Sequence, residues 1–450
     1  MNISQNNQLL SKIKKLSSNI KDNRNSSYNN EYYKYTNKRI QRLFEHRNGN
    51  IKEYEFKDLK VNNEIKNESK NVNTKNDIDQ INNGNKLNSE KKKNNSNKKN
   101  LKNKKEEKHD NFNYLSEDIK YQDNIIVILN SKIGLKNLGN TCYMNTCLQI
   151  IIHTPNFISR FFKNLDKINY LTPISQNFYD LILKFYENKN WVSPEEFLNV
   201  FCKEHYNFLA KKQNDTQEFC RIFLEDINVE LNNIKMKTPY IELDTLNKNK
   251  IQCKYEYDNL YKQKDDSLII DSFYGQIINT FSCKCGFQNF SFQKCFDIPL
   301  SIPYGKKSED LNQLIKTFFE EEKIDIKCKN CSKKDVKNKK LFSQPPEILI
   351  LSLQRLNERN KSKNTIKIKF EEELKMKNYI DNECFHNKNY NYVLYGIANH
   401  NGTIDEGHYY AYIKIFNDWY EFNDSNVKKL KQIEHISSEA YIFFYKRNDI

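Results

Sequence analysis

Gly134-Leu135-Lys136-Asn137-Leu138-Gly139-Asn140-Thr141-Cys142-Tyr143-Met144-Asn145-Thr146-Cys147-Leu148-Gln149 is the stretch on which the reading of this chain turns. Its first half is turn chemistry: two Gly and two Asn, residues that accept unusual backbone angles and close turns with their side chains. From Cys142 onward the pattern changes. Met144, Cys147, Leu148, Ile151 and Ile152 recur at three- and four-residue spacing, which predicts a helix with one buried face that ends before Pro155. Cys142 thus opens a buried helix directly after a Gly/Asn loop. The unpaired N–H groups of a first helical turn favour negative charge, so a thiolate is stabilised there. Most cysteines are simply buried, and packing explains Cys147. Packing does not explain the loop in front of Cys142.

The chain has 450 residues, room for two or three domains, and a formal net charge of +15. Residues 1–130 hold 27 Lys+Arg against 17 Asp+Glu, so most of the excess lies there. That segment is rich in Asn, Lys and Ser, with Lys91-Lys92-Lys93-Asn94-Asn95-Ser96-Asn97-Lys98-Lys99-Asn100 as its extreme. It offers too little apolar surface to offset its ordering entropy, so low-complexity disorder is expected, with at most a short helix near Glu31–Phe44. Its lysine runs are the feature that nucleic acid or another acidic partner would meet. Eleven cysteines, an odd number with two tight pairs, point to thiols and metal rather than a disulfide framework. No apolar signal region opens the chain, and aliphatic runs such as Ile125-Ile126-Val127-Ile128-Leu129 are strand-sized. A soluble, intracellular protein, cytoplasmic and/or nuclear and without a membrane partner, is expected.

From 131 the pattern becomes globular. Helices are expected at Ile174–Tyr186, from Ser193-Pro194-Glu195-Glu196 with Ser193 as N-cap, and from Asp215 as N-cap through Leu231. After a loosely patterned stretch, 236–266, strands are expected at Phe273–Ser282, Asn289–Leu300, Glu347–Leu353, Tyr390–Asn399, His408–Phe416 and Tyr441–Tyr445, with a helix at Ser308–Phe319 between them. Helices followed by a mostly antiparallel sheet make an α+β domain.

Two constellations carry chemistry. His408, in Glu406-Gly407-His408-Tyr409-Tyr410-Ala411-Tyr412, follows a glycine and opens a strand; a general base for a thiol needs such a rigidly held imidazole and a third group to fix its tautomer. Trp419-Tyr420-Glu421-Phe422-Asn423-Asp424-Ser425 supplies that group if 408–416 and 418–423 pair as a hairpin. Alternation then puts Asn423 on the face of His408 or Tyr409, and Asp424 on the opposite face. Cysteine, distant histidine and then Asn or Asp is the nucleophile–base–orienter order of papain-like enzymes. The second constellation is Cys283-Lys284-Cys285-Gly286 with Cys328-Lys329-Asn330-Cys331. Two thiolate pairs on hairpin tips make one closed tetrahedral zinc site, which leaves no open position for catalysis. Gly286 relieves the tight first pair.

These blocks resemble, in family order, those of the ubiquitin-specific proteases, papain-like deubiquitinating cysteine peptidases. The likeness runs from the cysteine box at 134–149, through Gln213-Asn214-Asp215-Thr216-Gln217-Glu218-Phe219 and the cysteine pairs, to the histidine box and Ala440-Tyr441-Ile442-Phe443-Phe444-Tyr445. Thr146 departs from the smaller residue usual there. The resemblance implies a papain-like catalytic domain over 131–450, with a helical thumb (about 131–235), and β-sheet palm and zinc-bearing β fingers (about 267–450). It implies Cys142 as nucleophile, His408 as base, Asn423 as orienter with Asp424 assisting, and Asn137 as the oxyanion-hole side chain. Asp215, Gln217, His400 and Tyr409 fall where the family meets substrate. The activity implied is hydrolysis of the isopeptide or peptide bond after ubiquitin's C-terminal glycine, with a structural zinc, no catalytic cofactor, and ubiquitin or ubiquitinated proteins as partners. A catalytically silent ubiquitin-binding scaffold, or a nucleic-acid-associated protein acting through the basic tail, are the alternatives.

Overall fold

The computed structural model describes residues 125–448, apart from 170, 189, 209–211, 237–242, 244, 246–247, 358–361 and 386–389. The expected disorder of the N-terminal region up to 124, its Glu31–Phe44 helix and its lysine runs lie outside the described residues. The end of that region is described and differs from its strand-sized reading. Residues 125–129 are helical, with Ile128 fully buried while Ile126 and Val127 are exposed. Ile125, Ile128 and Leu129 share one helical face, and that face packs on the core.

Five helices follow: Cys142–Ile152, Pro155–Phe162, Pro173–Glu187, Glu195–Glu204 and Thr216–Leu231. Their apolar faces meet in an aromatic core in which Phe178 packs edge-on against Phe161 and Phe223. Asp215 caps the fifth helix as expected, accepting from the N–H groups of Gln217 (2.6 Å) and Glu218 (3.4 Å). Ser193 does not cap the fourth: the N-cap is Pro194, no side chain caps it, and the helix starts one residue later than expected. Residues 236–266 contain a helix that the periodicity does not reveal, Lys250–Lys262, opened by a capping box between Asn249 and Gln252. Leu268–Phe273 is a further short helix, capped by Ser267. It takes Phe273 out of the expected strand.

The strands form two principal sheets. In the larger, the order is Asn426–Lys429, Asp418–Asn423, Gly407–Ile415, Asn391–Gly402, Ala440–Arg447, Ile348–Gln354, Ile298–Ser301, antiparallel except for the last pair. Strand Ile348–Gln354 is buried on both faces, so it reads as an unbroken apolar run: Ile348 and Ile350 face the helices, while Leu349, Leu351 and Leu353 face a second core under Leu311, Leu314 and Ile315. The four-stranded sheet runs Gln288–Cys295, Gly275–Cys283, Val336–Gln344, Glu322–Ile324. The single strand expected at Asn289–Leu300 is therefore two strands in different sheets, broken at Phe296-Asp297. The helix expected at 308–319 is Leu311–Phe318, since Ser308–Asp310 pairs as a strand and Asp310 caps the helix. Among the described residues no helix is long and apolar enough to cross a membrane.

Candidate active site

The Cys142 helix is buried along its whole length, between the sheet and the Thr216–Leu231 helix, to which the Thr216 hydroxyl ties it by donating to the Tyr143 carbonyl at 2.8 Å. The loop before it closes on its own side chains. Asn137 Oδ1 accepts from the N–H groups of Gly139 (2.9 Å) and Thr141 (3.2 Å), and Thr141 Oγ1 accepts from the Leu138 N–H at 2.9 Å. Asn140 sits in the left-handed region, φ 56°, which asparagine tolerates. No side chain caps the helix, so its first N–H groups stay available around Cys142, which is 1% exposed.

The hairpin forms in the expected place, with Ala411 opposite Phe422 and Ile415 opposite Asp418. Continuing that register puts Asn423 on the face of His408, not of Tyr409. His408 Nε2 and Asn423 Oδ1 are 2.8 Å apart, so Nε2 donates and Nδ1 is the ring nitrogen left for the thiol. The hydrogen bond to Cys142, opposed by partial burial and reinforced by Asn423, holds the His408 imidazole up at about 9.

Asp424 corrects the strand-phase expectation. The strand stops at Asn423 and Asp424 turns into the left-handed region, φ 50°, so its carboxylate folds back into the site instead of facing away. Its Oδ2 accepts from Asn137 Nδ2 at 2.9 Å and lies 3.9 Å from His408 Nε2. Its Oδ1 accepts from Asn145 Nδ2 at 2.8 Å. The sequence reading does not single out Asn145, although an amide three residues after Cys142 on a buried helix is the available signal. It also donates to the carbonyls of Leu135 (3.2 Å) and Lys136 (3.3 Å).

On the other side of His408, the second Asp215 oxygen accepts from the Tyr441 hydroxyl, and Gln217 Nε2 donates to Asp297 at 3.0 Å. His400 and Tyr409, expected against substrate, are each 3% exposed and packed ring on ring at 4.4 Å, so they form a wall rather than a contact surface. Burial, with Lys363 and His408 nearby, pushes the His400 imidazole down to about 4 and keeps it neutral. Gln213, also absent from the expected site, donates to the Gly407 carbonyl at 3.0 Å. A cavity of about 650 Å³ opens between Asn140, Lys212, Gln213 and the 404–407 turn.

The two cysteine pairs meet where Cys283 pairs with Val336 at the finger tips. Cys283, Cys285, Cys328 and Cys331 place their sulfurs within 4.8 Å of one another. The Cys283–Cys331 and Cys285–Cys328 separations are 3.7 Å, the edge expected, about 3.8 Å, of a sulfur tetrahedron with ~2.3 Å metal–sulfur bonds. Gly286 takes φ 87°, as the tight first turn requires. The Phe287 N–H, then the Asn330 amide, lower the Cys285 thiol below its usual range, while its neighbour Cys283 is pushed up within the same cluster. The donor set and its spacing fit a closed tetrahedral metal site.

A thiol on an uncapped helix start, faced by an imidazole that an amide orients, within helices packed on a sheet, defines the papain-like class of thiol hydrolases. A family model described as ubiquitin carboxyl-terminal hydrolase matches residues 133–445. Ubiquitin carboxyl-terminal hydrolase Usp2 of Drosophila melanogaster is 32% identical over 332 residues, which cover 70% of this chain and 34% of that protein. Ubiquitin carboxyl-terminal hydrolase 2 of Gallus gallus is 30% identical over 336 residues, 70% of this chain and 92% of that protein. The chain thus spans about a third of the fly relative's length and nearly all of the avian one's. The fold also matches the SAGA Ubp8/Sgf11/Sus1/Sgf73 DUB module bound to ubiquitin aldehyde, with TM-score 0.56 and 23% identity over 72% of this chain and 71% of that one. The chain belongs to the ubiquitin carboxyl-terminal hydrolase family, which is a family of cysteine-type deubiquitinases.

Proposed function

We propose that this chain hydrolyses the isopeptide or peptide bond after the C-terminal glycine of ubiquitin, with the residues of 131–448 as its catalytic domain. The observation that carries this reading is the His408 ring held between the Cys142 thiol and the Asn423 amide. Cys142 attacks the glycine carbonyl as thiolate. An amide nitrogen carries two N–H groups; Asn137 gives one to Asp424 and has a second for the oxyanion, beside the free N–H groups of the helix start. His408 as imidazolium protonates the departing amine, then draws a proton from the water that clears the acyl-enzyme. Asp215 and Gln217 edge the approach on the side of Tyr441 and Asp297, where an extended tail would lie, with His400 and Tyr409 as the wall behind it. The test is incubation with ubiquitin bearing a C-terminal electrophile. One adduct per chain, mapping to Cys142, is expected, and an adduct on another cysteine overturns the assignment.

Zinc on Cys283, Cys285, Cys328 and Cys331 would cross-link the two finger hairpins and take no part in the reaction. About one zinc per chain is expected by elemental analysis. Cys328→Ser should lose it, at a cost to stability on the order of several kcal/mol. A folded, active preparation without zinc would contradict this assignment.

A further inference from the structure

The order of strands gives the cleft a direction. Asp215 and Gln217 touch Tyr441 and Asp297, on the side of strands Ala440–Arg447 and Ile298–Ser301. His408 lies on the Gly407–Ile415 strand, with Asn423 on the next and Asn426–Lys429 at the opposite edge. Against the turn that joins those last two strands lies the segment Gly134–Leu135: the Leu135 N–H donates to the Asp424 carbonyl at 2.9 Å, and a Cβ on Gly134 would stand 2.4 Å from the Ser425 carbonyl oxygen. Only glycine allows that approach. Gly134–Leu135 then pairs in parallel with Trp191–Val192.

Trp191 is therefore anchored about two strand spacings, roughly 10 Å, from Asp424, yet it is 47% exposed. On this short strand Val192 turns into the core and Trp191 faces outward. Ile133 and Leu135 turn into the core, which by alternation leaves Lys132 and Lys136 outside. Lys136 Nζ lies 5.8 Å from the centre of the Trp191 ring, and Lys132 Nζ 5.1 Å from that of Tyr420. Neither lysine has a carboxylate within ion-pair distance among the described residues, whereas Lys428 and Lys429 at the same edge are paired with Glu421 and Asp418.

We infer that Trp191, Lys136, Lys132 and Tyr420 form the docking surface for the leaving group: the protein segment that carries the modified lysine, with acidic residues beside that lysine. This rests on the proposed deubiquitinase reading, because the ubiquitin tail then fills the Asp215 side and the departing amine emerges on the Trp191 side. An extended peptide advances about 3.3 Å per residue, so positions three to five residues from the acceptor lysine reach the patch. The carboxylates meet the two free ammonium groups, and the apolar part of the segment covers the indole.

The experiment compares three substrates: a ubiquitin C-terminal fluorogenic amide, ubiquitin linked to the lysine of a glutamate-flanked peptide, and ubiquitin linked to a lysine-flanked peptide. The wild-type chain should prefer the glutamate-flanked conjugate about fivefold in kcat/KM at low salt, and lose much of that preference at high salt. Trp191→Ala should lower turnover of the glutamate-flanked conjugate roughly tenfold and leave the fluorogenic amide within about twofold. Trp191→Phe should restore most of it. Lys132→Glu, an exposed change that leaves the core alone, should reverse the preference between the two peptides. Parallel loss on all three substrates would make Trp191 merely structural and overturn the inference, as would equal turnover of the two peptides by the wild-type chain. Turnover of the fluorogenic amide separates the two readings: if that substrate is inert, it is the deubiquitinase reading that fails.

Discussion

Cys142→Ala is expected to lower ubiquitin-amide hydrolysis on the order of 10⁴-fold or more, since no neighbouring group can replace the sulfur as nucleophile. Ubiquitin binding should be unchanged within about twofold. The Cys142 side chain is buried beneath the cleft surface and the exchange removes one heavy atom, so little contact area is at stake. The folded state should survive as well, because the helix that carries position 142 is buried along all of its length. Turnover of a fluorogenic ubiquitin substrate and calorimetric titration with ubiquitin measure the two quantities. Activity retained above a few per cent would show that another group attacks.

The second large effect separates Asn423 from Asp424. Strand phase alone makes Asp424 the lesser of the two, but the geometry reverses the order. Asp424→Ala takes the acceptor from both Asn137 and Asn145, so the oxyanion donor loses its fixed position. A fall of about 10²–10³ in kcat is expected, the range for losing one oxyanion-hole donor. Asn423→Ala leaves the thiol and the donors in place and frees one end of the imidazole. A smaller fall, about 10–10²-fold, is expected, together with a change in pH dependence. His408 is raised to about 9, so its proton is present at neutral pH and is lost as pH rises through that value, which sets the alkaline limb of the profile. Asn423 is one of the groups that raise it, so Asn423→Ala should move that limb toward lower pH, while Asn423→Asp should keep the rate and move the limb toward higher pH, since a carboxylate favours the imidazolium. Rates for the three variants across pH decide the matter. If Asn423→Ala proves the more damaging change and Asp424→Ala nearly silent, Asp424 does not support the oxyanion donor.

What the sequence discloses and what it withholds have physical reasons. Cys142, His408, Asn423 and the four clustered cysteines are legible because each sits where local chemistry demands a residue type: a Gly/Asn loop, a glycine before a strand, a tight turn. Spacing along the chain does not by itself bring them together in space; the order of the blocks and the family resemblance supply that step. Asp424 escapes the strand pattern because alternation holds only while a strand continues, and this strand ends one residue earlier in a left-handed turn. The Lys250–Lys262 helix is hard to read because Cys253 is its buried residue, which leaves no apolar stripe to count; its capping box is the readable sign. The break between Gln288–Cys295 and Ile298–Ser301 is hidden because both pieces have strand composition and only pairing partners tell them apart.

Strand Ala440–Arg447 lies inside the large sheet, between Asn391–Gly402 and Ile348–Gln354, although it follows both in sequence. Asn137 and Asp424 are 287 positions apart. At about 5–20 residues per second, Asn137 is translated roughly a quarter of a minute to a minute before Asp424. The nascent chain therefore carries its thiol for that interval with neither an imidazole to share its proton nor a closed sheet to support one. On the proposed function, peptidase activity has to await the insertion of that strand into the middle of the sheet, so it reports on the closure of the sheet as a whole.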